Sequence, residues 1–111
     1  MAIFEQGEIV AVAFGPSVGH EPTKTRPALV VSATDFNMGT SMTMLAPITS
    51  VDNGFPFHVP VSTGDGEVTG FACVEQIRAM DLCARPTTPL GRVRPAQMNE
   101  VLNLVGAVFG I

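Results

Sequence analysis

Gly19-His20-Glu21-Pro22-Thr23-Lys24-Thr25-Arg26-Pro27-Ala28-Leu29-Val30-Val31-Ser32 runs from a charged connector straight into an apolar, β-branched segment. Pro27 disfavours helix at Arg26, so Ala28 to Ser32 reads as a buried strand. Just ahead of it, an imidazole, a carboxylate, an ammonium and a guanidinium share one loop stiffened by Pro22 and Pro27. Loops that crowd titratable groups against a rigid strand are common places for chemistry. A solvated loop whose charges do nothing is the competing reading.

Upstream, Gly7 to Phe14 is a second β-rich run, closed by the turn signal Gly15-Pro16-Ser17. Downstream, Thr34-Asp35-Phe36-Asn37 suits a single helical turn. Ser41 to Ile48 opens with the polar–apolar alternation of a half-buried strand. Pro47 implies an edge or a bulge there, because proline donates nothing to a ladder. Asp52-Asn53-Gly54 and Gly64-Asp65-Gly66 are turns around the extended segment Phe55 to Val61, and Glu67 to Val74 is strand-like again. Glu75 to Leu82 fits either a strand or a short helical turn, Pro86 to Pro89 a loop, and Leu90 to Val93 a last short strand. Pro95 is placed to open a helix, where its missing N–H costs nothing. Met98, Val101, Leu102, Val105 and Phe109 then recur at helical spacing. Short strands between Gly/Pro turns, with one terminal helix over an opening or edge, predict a mainly β fold, a small and partly closed barrel. With 111 residues, the chain suits one domain spanning 1–111.

Composition narrows the function. Hydrophobic residues make up 46% and mean hydropathy is +0.34, which excludes a disordered chain. No apolar run approaches the roughly 20 residues that cross a bilayer, and Met1 to Gln6 lacks the features of a signal peptide. The expected location is cytoplasmic, with no membrane partner. Cys73 and Cys83 are too few for a disulfide framework and lack metal-ligand spacing, so neither a metal nor another cofactor is expected. The formal net charge is −4, which argues against a general nucleic-acid coat protein. The cations fall into two groups, Lys24 with Arg26 and then Arg78, Arg85, Arg92 and Arg94, which a fold could unite on one face.

The available catalytic parts are then histidine, carboxylates, arginines and hydroxyls. That set suits cleavage of RNA, whose own 2′-OH is the nucleophile, so the protein need only move protons and stabilise charge. His20 could serve as acid or base, with Glu75 or Glu21 as its complement across the phosphate. Arg26 could hold phosphoryl oxygens bidentately, and Thr49 could add a neutral hydrogen bond. Each has a plain alternative: His20 an ordinary loop residue, Arg26 paired with Glu21, Thr49 capping a turn, Glu75 solvated.

The order of segments adds to this. Gly7-Glu8-Ile9-Val10, Gly19-His20-Glu21, Thr25 to Ser32, Phe36-Asn37, Pro47-Ile48-Thr49-Ser50, Gly54-Phe55-Pro56-Phe57, and Gly70 through Glu75-Gln76 to Arg85 resemble the MazF/PemK (Kid) family of toxins, in register over nearly the whole chain. Met98-Asn99-Glu100-Val101-Leu102 is similar to the PemK/Kid branch. The resemblance implies an SH3-like barrel with a C-terminal helix, working as a homodimer. It further implies a sequence-specific, metal-independent endoribonuclease (an mRNA interferase) that cleaves single-stranded mRNA and halts translation. A cognate antitoxin would neutralise it, and the complex would bind DNA. The family's functional arginine and threonine fall on Arg26 and Thr49, the branch's histidine on His20 and its acidic residue on Glu75, one methylene longer. Glu21, Lys24, Thr25, Ser50, Gln76, Arg78 and Arg85 are the expected RNA contacts. Cys73 stands where that branch has an arginine, so charge stabilisation must shift, to Arg26 or to Arg85. The acidic balance is a second departure and predicts a small salt dependence of RNA binding.

Two alternatives keep the fold. The ending Phe109-Gly110-Ile111 resembles that of CcdB, a gyrase poison with Trp-Gly-Ile at its tail, and the match covers only the tail. The other is a binding module that has lost catalysis.

Overall fold

The computed structural model describes residues 3–14 and 25–111. Seven strands follow in order: β1 (Glu8–Ala13), β2 (Thr25–Val30), β3 (Thr43–Thr49), β4 (His58–Ser62), β5 (Thr69–Cys73), β6 (Arg78–Met80) and β7 (Thr87–Arg92). Helix α1 (Thr34–Thr40) lies between β2 and β3, a 3-10 turn (Val74–Gln76) between β5 and β6, and helix α2 (Pro95–Val108) ends the chain. All pairings are antiparallel, in the order β4-β5-β3-β2-β1-β7, with β6 also on β3. The result is a curled, half-barrel sheet with a C-terminal helix, the mainly β architecture expected.

The apolar run after Arg26 is continuous because β2 is buried on both faces. Leu29 joins one cluster, with Ile9, Ala46, Ile48, Val59, Ala72 and the α2 residues Met98 and Val101. Ala28 and Val30 point the other way, into a cluster with Phe4, Val10, Val12, Leu45, Met80 and Leu82. Burying a side chain such as Leu29 or Leu45 completely contributes about 1.5–3 kcal/mol. Asn37 is buried among these residues because its amide is used: it donates to the carbonyls of Phe4 (2.8 Å) and Ser32 (3.4 Å) and accepts from the Ser32 hydroxyl.

Three elements differ from expectation. β2 starts at Thr25, so Arg26 and Pro27 lie within the strand; Pro27 is opposite Ala11, and the ladder to β3 begins only at Ala28. Pro47 marks neither a sheet edge nor a bulge. It lies where β3 changes partner, from β6 at Thr43, Met44 and Leu45 to β5 at Ile48 and Thr49. Cys73, the last residue of β5, and residues 74–77 of the β5–β6 connection therefore stand opposite residues 46–47 alone. Third, β7 runs through the expected loop, and as an outer strand it tolerates Pro89. On α2 the apolar face is narrower than its spacing implies: Met98 and Val101 are buried, but Leu102 is exposed and Phe109 is 74% exposed.

Candidate functional site

Strand alternation decides what reaches the site. On β2, Arg26 shares its face with Ala28 and Val30; on β3, Thr49 shares its face with Leu45. That face is core in the middle of the sheet and opens at its end. Continuing the register Ala28↔Pro47 by two residues sets Arg26 across from Thr49. The two line a shallow cleft of about 340 Å³ with Pro27, Ile48, Ser50 and Thr69. Ser50 also lines the adjoining cleft of about 340 Å³ toward Pro60, Ser62, Phe71 and Gln97. Thr49 Oγ1 accepts the Val51 N–H at 3.2 Å, holding the strand exit in a turn. Gly70 lets the strands close here, for a Cβ on it would meet Ile48 Cγ2 at 2.6 Å and the Thr49 carbonyl oxygen at 2.7 Å.

Glu75, on the 3-10 turn, lines a separate cavity of about 380 Å³ with Val31, Met44, Leu102 and Val105 rather than the Arg26–Thr49 cleft. Its Oε2 lies 2.9 Å from His58 Nε2 and accepts from Gln76 Nε2 at 3.2 Å. Burial opposes ionisation of Glu75, yet the hydrogen bonds from His58, its own backbone and Gln76 outweigh it and hold the carboxyl below its ordinary range. His58 is the residue the sequence reading passed over. Its side chain is only 7% exposed against 31% for Glu75, with the Phe55 ring edge-on at 5.2 Å. Its Nδ1 is buried without a hydrogen-bond partner among the described residues, an arrangement that costs about 1–3 kcal/mol. The turn at Gly64-Asp65-Gly66 carried the signal: a hairpin centred there pairs His58 with Cys73, as observed. Cys73 is buried beside them; burial and then the Glu75 carboxylate push its thiol up, against a smaller opposite effect from the Thr49 backbone.

The remaining expected residues are scattered by the fold. Thr25 is exposed at the start of β2, opposite Ala13, and Gln76 is exposed beside Glu75. Arg85 clamps the end of β1, donating through one nitrogen to the carbonyls of Ala13 (2.7 Å) and Phe14 (3.4 Å). Arg78 stacks over the Phe14 ring at 5.8 Å. Both arginines thus gather at the point where the chain enters residues 15–24. His20, Glu21 and Lys24 lie outside the described residues. Among the described residues, no helix is long and apolar enough to cross a membrane.

Residues 5–109 match the family described as PemK-like, MazF-like toxins of type II toxin–antitoxin systems, and the chain belongs to that family. Among its relatives, the Endoribonuclease toxin ChpB of Escherichia coli K12 is 41% identical over 109 residues, spanning 95% of this chain and 93% of that one. Endoribonuclease PemK of Escherichia coli is 36% identical over 108 residues, 95% of this chain and 81% of its own. The fold matches MazF in a MazE-MazF crystal structure from Deinococcus radiodurans, with a TM-score of 0.86 and 29% identity over 100% of this chain and 99% of that one. These similarities favour the toxin endoribonuclease over the gyrase poison read from Phe109-Gly110-Ile111.

Proposed function

We propose that this member of the toxin family acts on single-stranded mRNA through the Arg26–Thr49 cleft, cutting it by attack of a 2′-OH on the adjacent phosphate. Arg26 holds the phosphoryl oxygens as negative charge builds, and Thr49 and Ser50 fix the backbone beside it. Glu75, kept ionised by its hydrogen bonds, accepts the 2′-OH proton. The leaving 5′-oxygen is protonated by a second group, for which His20 on the 15–24 segment is the candidate. No metal is needed for these steps, because the nucleophile belongs to the substrate. Thr25 and Gln76 are exposed and free to touch the RNA strand, Glu21 and Lys24 are proposed contacts outside the described residues, and Arg78 and Arg85 bind RNA only from their places around Phe14.

The observation that carries this reading is the cleft that Arg26 and Thr49 line together with Ser50 and Thr69. The names shared by the relatives support it, as does the antitoxin complex of the structural neighbour. On the same footing, the chain works in the cytoplasm as a homodimer of one domain, residues 1–111, silenced by a cognate antitoxin. Incubating the protein with mixed-sequence RNA in EDTA and mapping the ends tests the proposal. Discrete cleavage lost in Arg26→Ala is expected; cleavage that survives Arg26→Ala, or that EDTA abolishes, would overturn it.

A further inference from the structure

The hairpin of β4 and β5 sets His58 directly opposite Cys73, and cross-strand partners share one face of a sheet. Glu75 follows two residues later and already meets His58 at 2.9 Å. One donor atom from each of the three lies within 4.8 Å of the others. The imidazole is held rigidly, and one of its nitrogens, Nδ1, is committed to no described protein group.

An imidazole nitrogen, a thiolate and a carboxylate form a mixed set that suits a borderline-soft cation and fits magnesium or calcium poorly. Tetrahedral zinc has bonds of about 2.0–2.3 Å, so its ligand atoms sit roughly 3.3–3.8 Å apart. The cluster reaches that spacing when its wider pairs draw in from within 4.8 Å and the His58–Glu75 hydrogen bond, at 2.9 Å, opens to admit the ion. We propose that His58, Cys73 and Glu75 form a three-ligand site for Zn²⁺ or a similar divalent cation, whose occupation takes Glu75 out of proton transfer. Binding replaces the thiol proton of Cys73, which leaves to solvent, and breaks no other covalent bond. The fourth position, on the exposed side of Glu75, is left for water or a phosphate oxygen. The inhibitory consequence rests on the role proposed for Glu75; the binding itself does not.

The test titrates the whole protein with Co²⁺, reading the thiolate-to-cobalt charge-transfer band, and with Zn²⁺ against a chromophoric chelator. RNA cleavage is measured in parallel. One equivalent per chain is expected, with the band lost in Cys73→Ala and zinc affinity lowered about 100-fold or more in Cys73→Ala and Glu75→Gln. Zinc should inhibit the parent protein reversibly and leave Cys73→Ala cleaving. Glu75→Gln, a change at an exposed position, covers the case in which Cys73→Ala fails to fold. No sulfur band, or equal zinc affinity in the parent and Glu75→Gln, would overturn the site. Stoichiometric binding without inhibition supports the site and refutes its regulatory role. Stoichiometric binding to a protein that never cuts RNA supports the site and refutes the proposed function instead.

Discussion

Gly70→Ala is the change that couples the fold most directly to the cleft. The added methyl would sit 2.6 Å from Ile48 Cγ2 and 2.7 Å from the Thr49 carbonyl oxygen. The Ile48 methyl can rotate away, but the Thr49 carbonyl is backbone, so β3 and β5 must part. Overpacking of this kind costs about 1–3 kcal/mol. For a chain of this size that lowers Tm by roughly 3–15 °C. The parting falls at Thr49, so cleavage should drop as well, with kcat/KM losing about 10–100-fold from a displacement near 1 Å. Gly39→Ala is the control: it lies in α1 with nothing within 4 Å of its Cβ position. There alanine should raise stability by about 0.5–1 kcal/mol. Differential scanning calorimetry and a fluorogenic RNA assay on both variants decide the matter. A Gly70→Ala protein with parental Tm and parental activity would refute the close approach and its role.

Arg26→Lys keeps the charge but loses the planar fork, so cleavage should fall about 100-fold with Tm unchanged; near-parental rates would remove bidentate phosphate binding from the mechanism. Asn37→Ala strips a buried amide that serves Phe4 and Ser32 and should cost about 2–3 kcal/mol in urea unfolding, without changing the cleavage sites. Thr63 and then the Glu67 N–H hold the Asp65 carboxyl below its ordinary 3.8. A depressed folded value gives stability that is present above the unfolded value and is lost as pH falls through the folded one. Asp65→Asn should therefore flatten the stability profile below about pH 4, and an unchanged acid limb in pH-dependent melts would contradict this. Removing Gly110-Ile111, where Ile111 is 96% exposed, should leave RNA cleavage intact; its loss would assign the tail a part in the reaction.

The sheet was legible because its signals are local. Turn residues at Asp52-Asn53-Gly54 and Gly64-Asp65-Gly66 bracket β4, and apolar residues run through β1 and the second half of β2. Pro47 misled because proline excludes a residue from an ordinary ladder, but the sequence does not show that β3 changes partner there. Phe109 fitted the helical period, yet α2 ends at Val108, and the core is covered by Met98 and Val101 with Leu104 and Val105 half-buried beside them. Arg26 and Thr49 were singled out by their chemistry and by family resemblance, and the two line one cleft. His58 required cross-strand register rather than sequence distance. The role of Arg85 was hidden for a similar reason, since its partners Ala13 and Phe14 lie 72 and 71 positions away in the chain.

The unequal lengths of chain facing each other at residues 73–77 and 46–47 make Glu75 mechanically separate from the two side chains it is proposed to assist. β2 and β3 are paired along both edges, whereas Glu75 stands on the 3-10 turn between β5 and β6. Lengthening or shortening that turn by a residue alters where the carboxylate is carried, while β5 and β6 keep their places on β3. The same sheet can therefore carry acidic side chains of different reach on that turn.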